Sequence, residues 1–361
     1  MTRFQNEIEE IPAALERLAV FYEGEGRERL RAFRSLLAGR RALVWGGMGT
    51  SWFAPEVIFA SLSERGISSS AWEAGEWLHY GPPQPDPQTL AILTSQSGES
   101  AEVKALVEQG RAGKRFAAIT NQEGSTLGTG ATVVLPLCAG EEASISTKTY
   151  ANTLAVLHLV EAALRGDAEV GSALDQLRLA AEALRRSQDA AIRDAARSLG
   201  AARAIAFVAR GPALVAARQC SLTFMEGSRL LTSAFAGGGY NHGPAETLES
   251  GARLVILQAG ASRTRGLTES LAARAAGYGA DVTLICGDGE PRPALRGVRL
   301  VVVPEGGITA QARDPAAQLR AEQLFPLLVC RTQNLLLHGV AAERSHEAGV
   351  FRHGGKVTTH E

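Results

Sequence analysis

The sequence predicts an α/β protein in which one doubly wound parallel-sheet unit is used twice. Three observations point there. Short apolar runs alternate with stretches long enough for helices, each run is apolar throughout, and the same cadence returns about 160 residues later. Strands that are apolar on both sides need cover on both faces, which a parallel sheet flanked by helices provides.

Taken in order, Ile8, Ile11, Leu15 and Leu18 fall at helical spacing, so an amphipathic helix is expected over 5–20, with a second over 26–38. The first set of strands is expected at 41–46 (RALVWG), 89–94 (TLAILT), 115–120 (RFAAIT) and 132–137 (TVVLPL). Its counterpart falls at 203–208 (RAIAFV), 253–258 (RLVILQ), 281–286 (DVTLIC) and 298–303 (VRLVVV). Between the sets, 150–165 is apolar nearly all round and should form a buried helix. Leu174, Leu177, Ala181, Leu184 and Ile192 form one stripe over 174–199, which suits a helix bridging the lobes. A last long helix is expected over 314–340, before a polar tail ending FRHGGKVTTHE. The expected organisation is therefore N-terminal helices over 1–38, a first sheet domain over 39–170, a linking helix over 171–199, a second sheet domain over 200–340 and a tail over 341–361.

Composition narrows the partners. The 361 residues carry 37 Lys+Arg against 38 Asp+Glu, a formal charge of −1, so there is no basic field to condense on nucleic acid or anionic lipid. A hydrophobic content of 45% excludes disorder as the dominant state. Cys138, Cys220, Cys286 and Cys330 are far apart and form no CxxC pair, so neither a disulfide framework nor a zinc knuckle is implied. The N-terminus carries acidic residues where a secretory signal needs a basic start, and no run approaches the ~18 apolar residues of a membrane span. The expectation is a cytoplasmic protein with no membrane and no nucleic-acid partner.

Five segments carry chemistry. Thr94-Ser95-Gln96-Ser97-Gly98-Glu99-Ser100 follows an apolar strand and precedes the helical stretch AEVKALVEQ. Hydroxyls, exposed amides and a helix end suit a phosphate monoester, and parallel sheets bind ligands at the carboxyl ends of their strands. The alternative is a helix cap with Glu99 supporting the first turn. Gly46-Gly47-Met48-Gly49-Thr50-Ser51 lacks the G-x-G-x-x-G spacing and the downstream acidic residue of a dinucleotide loop, which leaves close backbone approach to a small ligand, with Thr50 and Ser51 as donors. Glu141-Glu142-Ala143-Ser144-Ile145-Ser146-Thr147-Lys148 opens the buried helix and reads first as a cap.

Glu226 has Leu222 and Leu230 four residues to either side, an apolar face that would raise its pKa toward that of a general base; an ion pair with Arg229 is the alternative. His242 follows the glycine run Gly237-Gly238-Gly239 on what reads as a loop. In the tail, His346, Arg352, His353, Lys356 and His360 crowd together. No H-E-x-x-H or comparable spacing supports a metal, so the alternatives are a lysine delivered into a pocket and a solvated tail.

SQSGES after a strand, GTS after the first strand, ISTK, Glu226 with His242-Gly243-Pro244 at E-x15-HGP, and a lysine five residues before the carboxyl end occur in that order. Together they resemble the double sugar-isomerase (SIS) domain proteins, above all the isomerase half of glutamine-dependent glucosamine-6-phosphate synthases, with amino-sugar phosphate deaminases and ketose/aldose isomerases as relatives. The resemblance runs from about residue 40 to Glu361. It implies two tandem SIS domains, each a doubly wound, flavodoxin-like parallel sheet flanked by helices. It implies that Ser95, Gln96, Ser97 and Ser100 hold a sugar phosphate while Thr50, Ser51 and Ser146 line the sugar. By position, Glu226 moves a proton between C1 and C2, His242 opens the ring from across a homodimer interface, and Lys356 meets the open-chain sugar. No metal or redox cofactor is implied.

Two departures stand out. Thr223 stands where the synthases have a lysine three residues before the glutamate, and residues 1–40, without a cysteine, leave no room for a glutaminase. The expectation is accordingly an isomerase-deaminase converting glucosamine 6-phosphate to fructose 6-phosphate and ammonia. The alternatives are a fructosyl-amine 6-phosphate deglycase, a plain phosphosugar isomerase, a synthase-type transaminase without glutaminase and, from another class, a non-catalytic sugar-phosphate sensor.

Overall fold

The computed structural model describes residues 1–186, 189–289, 294–308, 312 and 314–358. The chain forms two compact units: the first comprises Ala13–Arg178 with Arg352–Glu361, the second Met1–Pro12 with Leu179–Phe351. The N-terminal segment 1–38 and the tail 341–361 are thus each shared between the units.

In the first unit, β1 (Ala42–Gly47), β2 (Ser68–Glu73), β3 (Thr89–Ser95), β4 (Ala117–Thr120) and β5 (Val133–Pro136) form one parallel sheet in the order β2-β1-β3-β4-β5. β3 and β4 are buried along nearly their whole length, as a central position between helical layers requires. Gly46 lies inside β1, where a Cβ would fall 2.7 Å from Leu93 Cδ2 and 2.8 Å from Trp77 Cε3. Close packing of strand against helix therefore demands that glycine. The helix Lys148–Arg165 is buried from Lys148 through Ala163, the all-round burial that its apolar sequence predicts. Asn152 holds its start in place, donating to Leu137 O at 2.7 Å just past β5.

The second unit repeats the order. β6 (Ala204–Ala209), β7 (Leu231–Ala236), β8 (Arg253–Gln258), β9 (Asp281–Gly287) and β10 (Val298–Val303) are parallel and arranged β7-β6-β8-β9-β10. Its core gathers Val208, Leu254, Ile256, Leu271, Val282 and Leu284 between strands and the helix Arg265–Gly277. The protein is an α/β fold with two parallel five-stranded sheets flanked by helices.

Four expectations need correction. β2 (SSSAWE) and β7 (LTSAFA) carry no apolar run and escape a hydrophobicity reading, because most of their residues are left exposed or half-buried. The expected helix 5–20 is two helices, Arg3–Glu9 and Ile11–Glu23. Pro12 lacks the N–H that would bridge them, and is tolerated in the first turn of the second. The stripe over 174–199 spans Asp167–Leu184 and Asp189–Gly200, with residues 187 and 188 outside the described ones. The last helix is likewise two, Pro315–Leu328 and Cys330–Glu343, with Pro326 removing a ladder bond just before the break. Cys220, Cys286 and Cys330 are buried thiols and Cys138 is half-buried. Among the described residues no helix is long and apolar enough to cross a membrane.

Candidate functional site

In a parallel sheet all the carboxyl ends open on one edge, and in the first unit that edge gathers the loops after β1, β3 and β5. The turn after β3 is tightly built. Gly98 adopts φ +68°, and a Cβ there would collide with Ser125 Oγ, so the position requires glycine. The Gly98 N–H donates to Ser95 Oγ at 3.1 Å, and the Glu99 N–H donates to Ser97 Oγ at 3.2 Å. A hydroxyl that accepts from an amide still has its own proton to give. Ser95 and Ser97 are therefore poised as donors.

Ser100 decides between cap and anion turn. It occupies the N-cap of the helix Ala101–Glu108 with extended backbone, yet its hydroxyl makes no capping bond and lies 3.5 Å from Ser95 Oγ. Glu99 does not support that helix either. Its carboxylate accepts from Thr126 N at 2.6 Å and Thr126 Oγ1 at 3.1 Å, and those bonds, the amide first, hold its pKa below the usual range. Gln96 contributes its carbonyl, accepting from Asn121 N at 3.1 Å and so tying the ends of β3 and β4 together.

After β1, Gly49 turns the chain at φ +51° into the short helix Thr50–Phe53, whose first residues Thr50 and Ser51 are half-buried. Ser146 is half-buried in the segment that leads from β5 into the helix Lys148–Arg165.

That segment holds a group not singled out from the sequence. Glu142 has a side chain with 0% exposure and accepts from Thr147 N and Thr147 Oγ1 at 2.8 Å, Thr149 N at 3.1 Å and Thr149 Oγ1 at 2.5 Å. Its fifth donor is Lys356 Nζ at 2.5 Å, 214 residues away in sequence. Burial pushes the Glu142 pKa up, but the Lys356 ammonium and the Thr149 bonds outweigh it, leaving the carboxyl below its ordinary range. The tail makes a second contact where the Ala101 N–H, first in the helix after the serine turn, donates to Thr358 O at 3.2 Å. The structure thus joins the serine turn, Glu142 and Lys356 within one unit. A carboxylate just ahead of a Thr-Lys helix start was the available signal; its cation could not be read from sequence.

Glu226 and His242 belong to the second unit. Glu226 lies half-buried near the end of the helix Ala213–Ser228, flanked by half-buried Leu222, exposed Met225 and buried Leu230. Its neighbour Arg229 leaves the helix in the left-handed region and meets His346 Nδ1 at 3.3 Å. Thr223 is buried with its hydroxyl donated to Gln219 O at 2.8 Å. The glycine run before His242 is not an open loop: Gly237–Tyr240 is a helical turn with Tyr240 buried, and His242 stands exposed just after it. The basic residues of the tail are divided between the two units. His346 belongs to the second unit, while Arg352 and His353 are exposed in the first and His360 lies outside the described residues. Among the described residues no three His, Cys, Asp or Glu side chains are placed to hold a metal ion.

Residues 36–163, which hold the first sheet, match the model of the SIS domain family. The isomerizing glutamine–fructose-6-phosphate aminotransferase of Aeropyrum pernix is 31% identical over 316 residues, which cover 83% of this chain and 50% of that protein. The enzyme of the same name from Symbiobacterium thermophilum is 32% identical over 201 residues, 52% of this chain and 32% of its own length. The chain spans half or less of these relatives.

Among solved structures, the C-terminal domain of glucosamine-fructose-6-phosphate aminotransferase from Francisella tularensis superposes with TM-score 0.82 at 19% identity, covering 97% of this chain and 98% of that one. Glucosamine-6-phosphate deaminase from Thermotoga maritima gives 0.70 at 17% identity, covering 99% of each chain. Tagatose-6-phosphate ketose/aldose isomerase from Escherichia coli gives 0.72 at 18% identity, covering 92% of each. At these identities the likeness is one of fold.

Proposed function

We propose that this chain is a phosphosugar isomerase-deaminase that converts glucosamine 6-phosphate and water to fructose 6-phosphate and ammonia. The observation that carries the reading is the serine turn, where Ser100 leaves its helix uncapped and turns toward Ser95 beside a docked lysine-bearing tail. Hydroxyl protons of Ser95, Ser97 and Ser100 take the phosphate, and Thr50, Ser51, Gln96 and Ser146 line the sugar. The names of the curated relatives, which act on fructose 6-phosphate, support the substrate class.

The chemistry follows from these groups and from the resemblance. His242 helps open the pyranose, and in a homodimer it comes from the neighbouring copy. Glu226 removes the C2 proton of the open-chain aldehyde to give an enolamine and returns it to C1, leaving a C2 imine. Water adds to that imine and ammonia leaves, so the ketose remains. Positioning and one tuned base supply the rate, the base alone about 10²–10⁴-fold.

The test is a coupled assay for ammonia and fructose 6-phosphate from glucosamine 6-phosphate, run beside a panel of phosphosugars and fructosyl-amine phosphates. Turnover that disappears in Glu226→Gln is expected. Thermal stabilisation by sugar phosphates with no turnover of any would replace this reading with a sensor. A fully active monomer in sedimentation would remove the shared His242.

A further inference from the structure

We propose that Glu142 is the positioning residue for Lys356: its buried carboxylate fastens the tail's ammonium beside the serine turn, where it meets the oxygen of an open-chain sugar. The role assigned to Lys356 rests on the function proposed above; the fastening stands by itself.

A carboxylate is more than a helix start needs. Neutral hydroxyls cap helices well, and Ser144, Ser146 and Thr147 all precede Lys148. An ionised group with no exposed side-chain surface is costly unless a cation and hydrogen bonds accompany it, and here the helix supplies four bonds while the cation comes from the tail. The rest of the tail offers little grip. Arg352 and His353 are exposed, and a Cβ on Gly354 or Gly355 would meet nothing within 4 Å. Among the described residues two polar contacts remain, Lys356 on Glu142 and Thr358 O on the Ala101 N–H, and two residues of chain span at most about 7 Å. The strap is therefore short, and its charged end is set by Glu142.

The test uses the whole chain and two readouts, the hydrogen-exchange protection that the tail gives the Ala101 amide and the separate kcat and KM for sugar phosphate. Glu142→Gln keeps an acceptor for the Thr147 and Thr149 amides and loses the charge together with the oxygen that accepts from Lys356 Nζ and Thr149 Oγ1. Tail protection should vanish, kcat should fall by about 10²-fold, and KM should change little because the phosphate grip is intact. Glu142→Asp, which keeps the charge, should recover part of kcat. Lys356→Met breaks the contact from the tail side without touching the helix start, and should likewise abolish the protection.

Unchanged tail protection in Glu142→Gln and Lys356→Met overturns the proposal. So does a Glu142→Asp variant no better than Glu142→Gln, since a mere structural support would behave that way. If wild type turns over no sugar phosphate, the proposed function fails, and the exchange data alone still decide whether Glu142 holds the tail.

Discussion

The turns after β3 and β8 occupy the same place in two sheets of the same strand order, and they are filled in opposite ways. After β3 the backbone amides of Gly98 and Glu99 donate to serine hydroxyls whose protons remain available. After β8 the Gly260 N–H donates at 2.9 Å to Oε1 of Glu305, a residue with 0% exposure. A Cβ on Gly260 or Gly287 would run into that carboxyl, so the glycines form a cradle around a group the protein supplies itself. Parallel topology makes an amide-rich turn at each site, and the residues that reach it determine the occupant. One turn offers protons, the other is already filled by a side-chain carboxyl.

The largest expected effect separates the roles of the two units. Glu226→Gln should lower kcat for glucosamine 6-phosphate by about 10²–10⁴-fold with little change in KM, measured by ammonia release. If KM rose instead, Glu226 would belong with binding. Next comes Gly287→Ala, which drives a Cβ into Glu305; urea denaturation should show a loss of about 3 kcal/mol or more.

Ser100→Ala probes the open turn. It should raise KM by about 10-fold or more, the worth of one hydrogen bond to a charged group, and leave the melting temperature nearly unchanged. A capping serine would cost about 1 kcal/mol, so a clear drop in melting temperature would show that the hydroxyl caps after all.

The smallest effects are in pH, and the two units should differ in sign. Glu142 in the first unit has a lowered pKa, so its contribution is complete above the ordinary glutamate value of about 4.3 and is lost as pH falls through the lower folded value. Tail protection should therefore decay only in acid. Glu322 in the second unit is raised by burial, against the opposing Arg263 contacts, so its contribution is present below about 4.3 and lost as pH rises through the higher folded value. Hydrogen exchange followed peptide by peptide between acid and neutral pH would reveal parallel trends if this contrast were wrong.

Eight of the ten strands among the described residues were legible because each is an apolar run, and the period between the two sets was legible for the same reason. β2 and β7 were not, since their residues are mostly exposed or half-buried and need not be apolar, although the other two edge strands, β5 and β10, are. The serine turn was legible as a candidate anion site, but only geometry shows the Ser100 hydroxyl leaving its cap position.

By itself the sequence determined the apolar strands and the carboxyl-end turns, because hydrophobic periodicity and turn residues act over a few neighbours. Tertiary structure alone decided that Glu142 meets Lys356 across 214 residues and that Glu305 closes on Gly260. A buried charge is stable only where the fold brings it partners, and no local pattern records which distant residue will arrive.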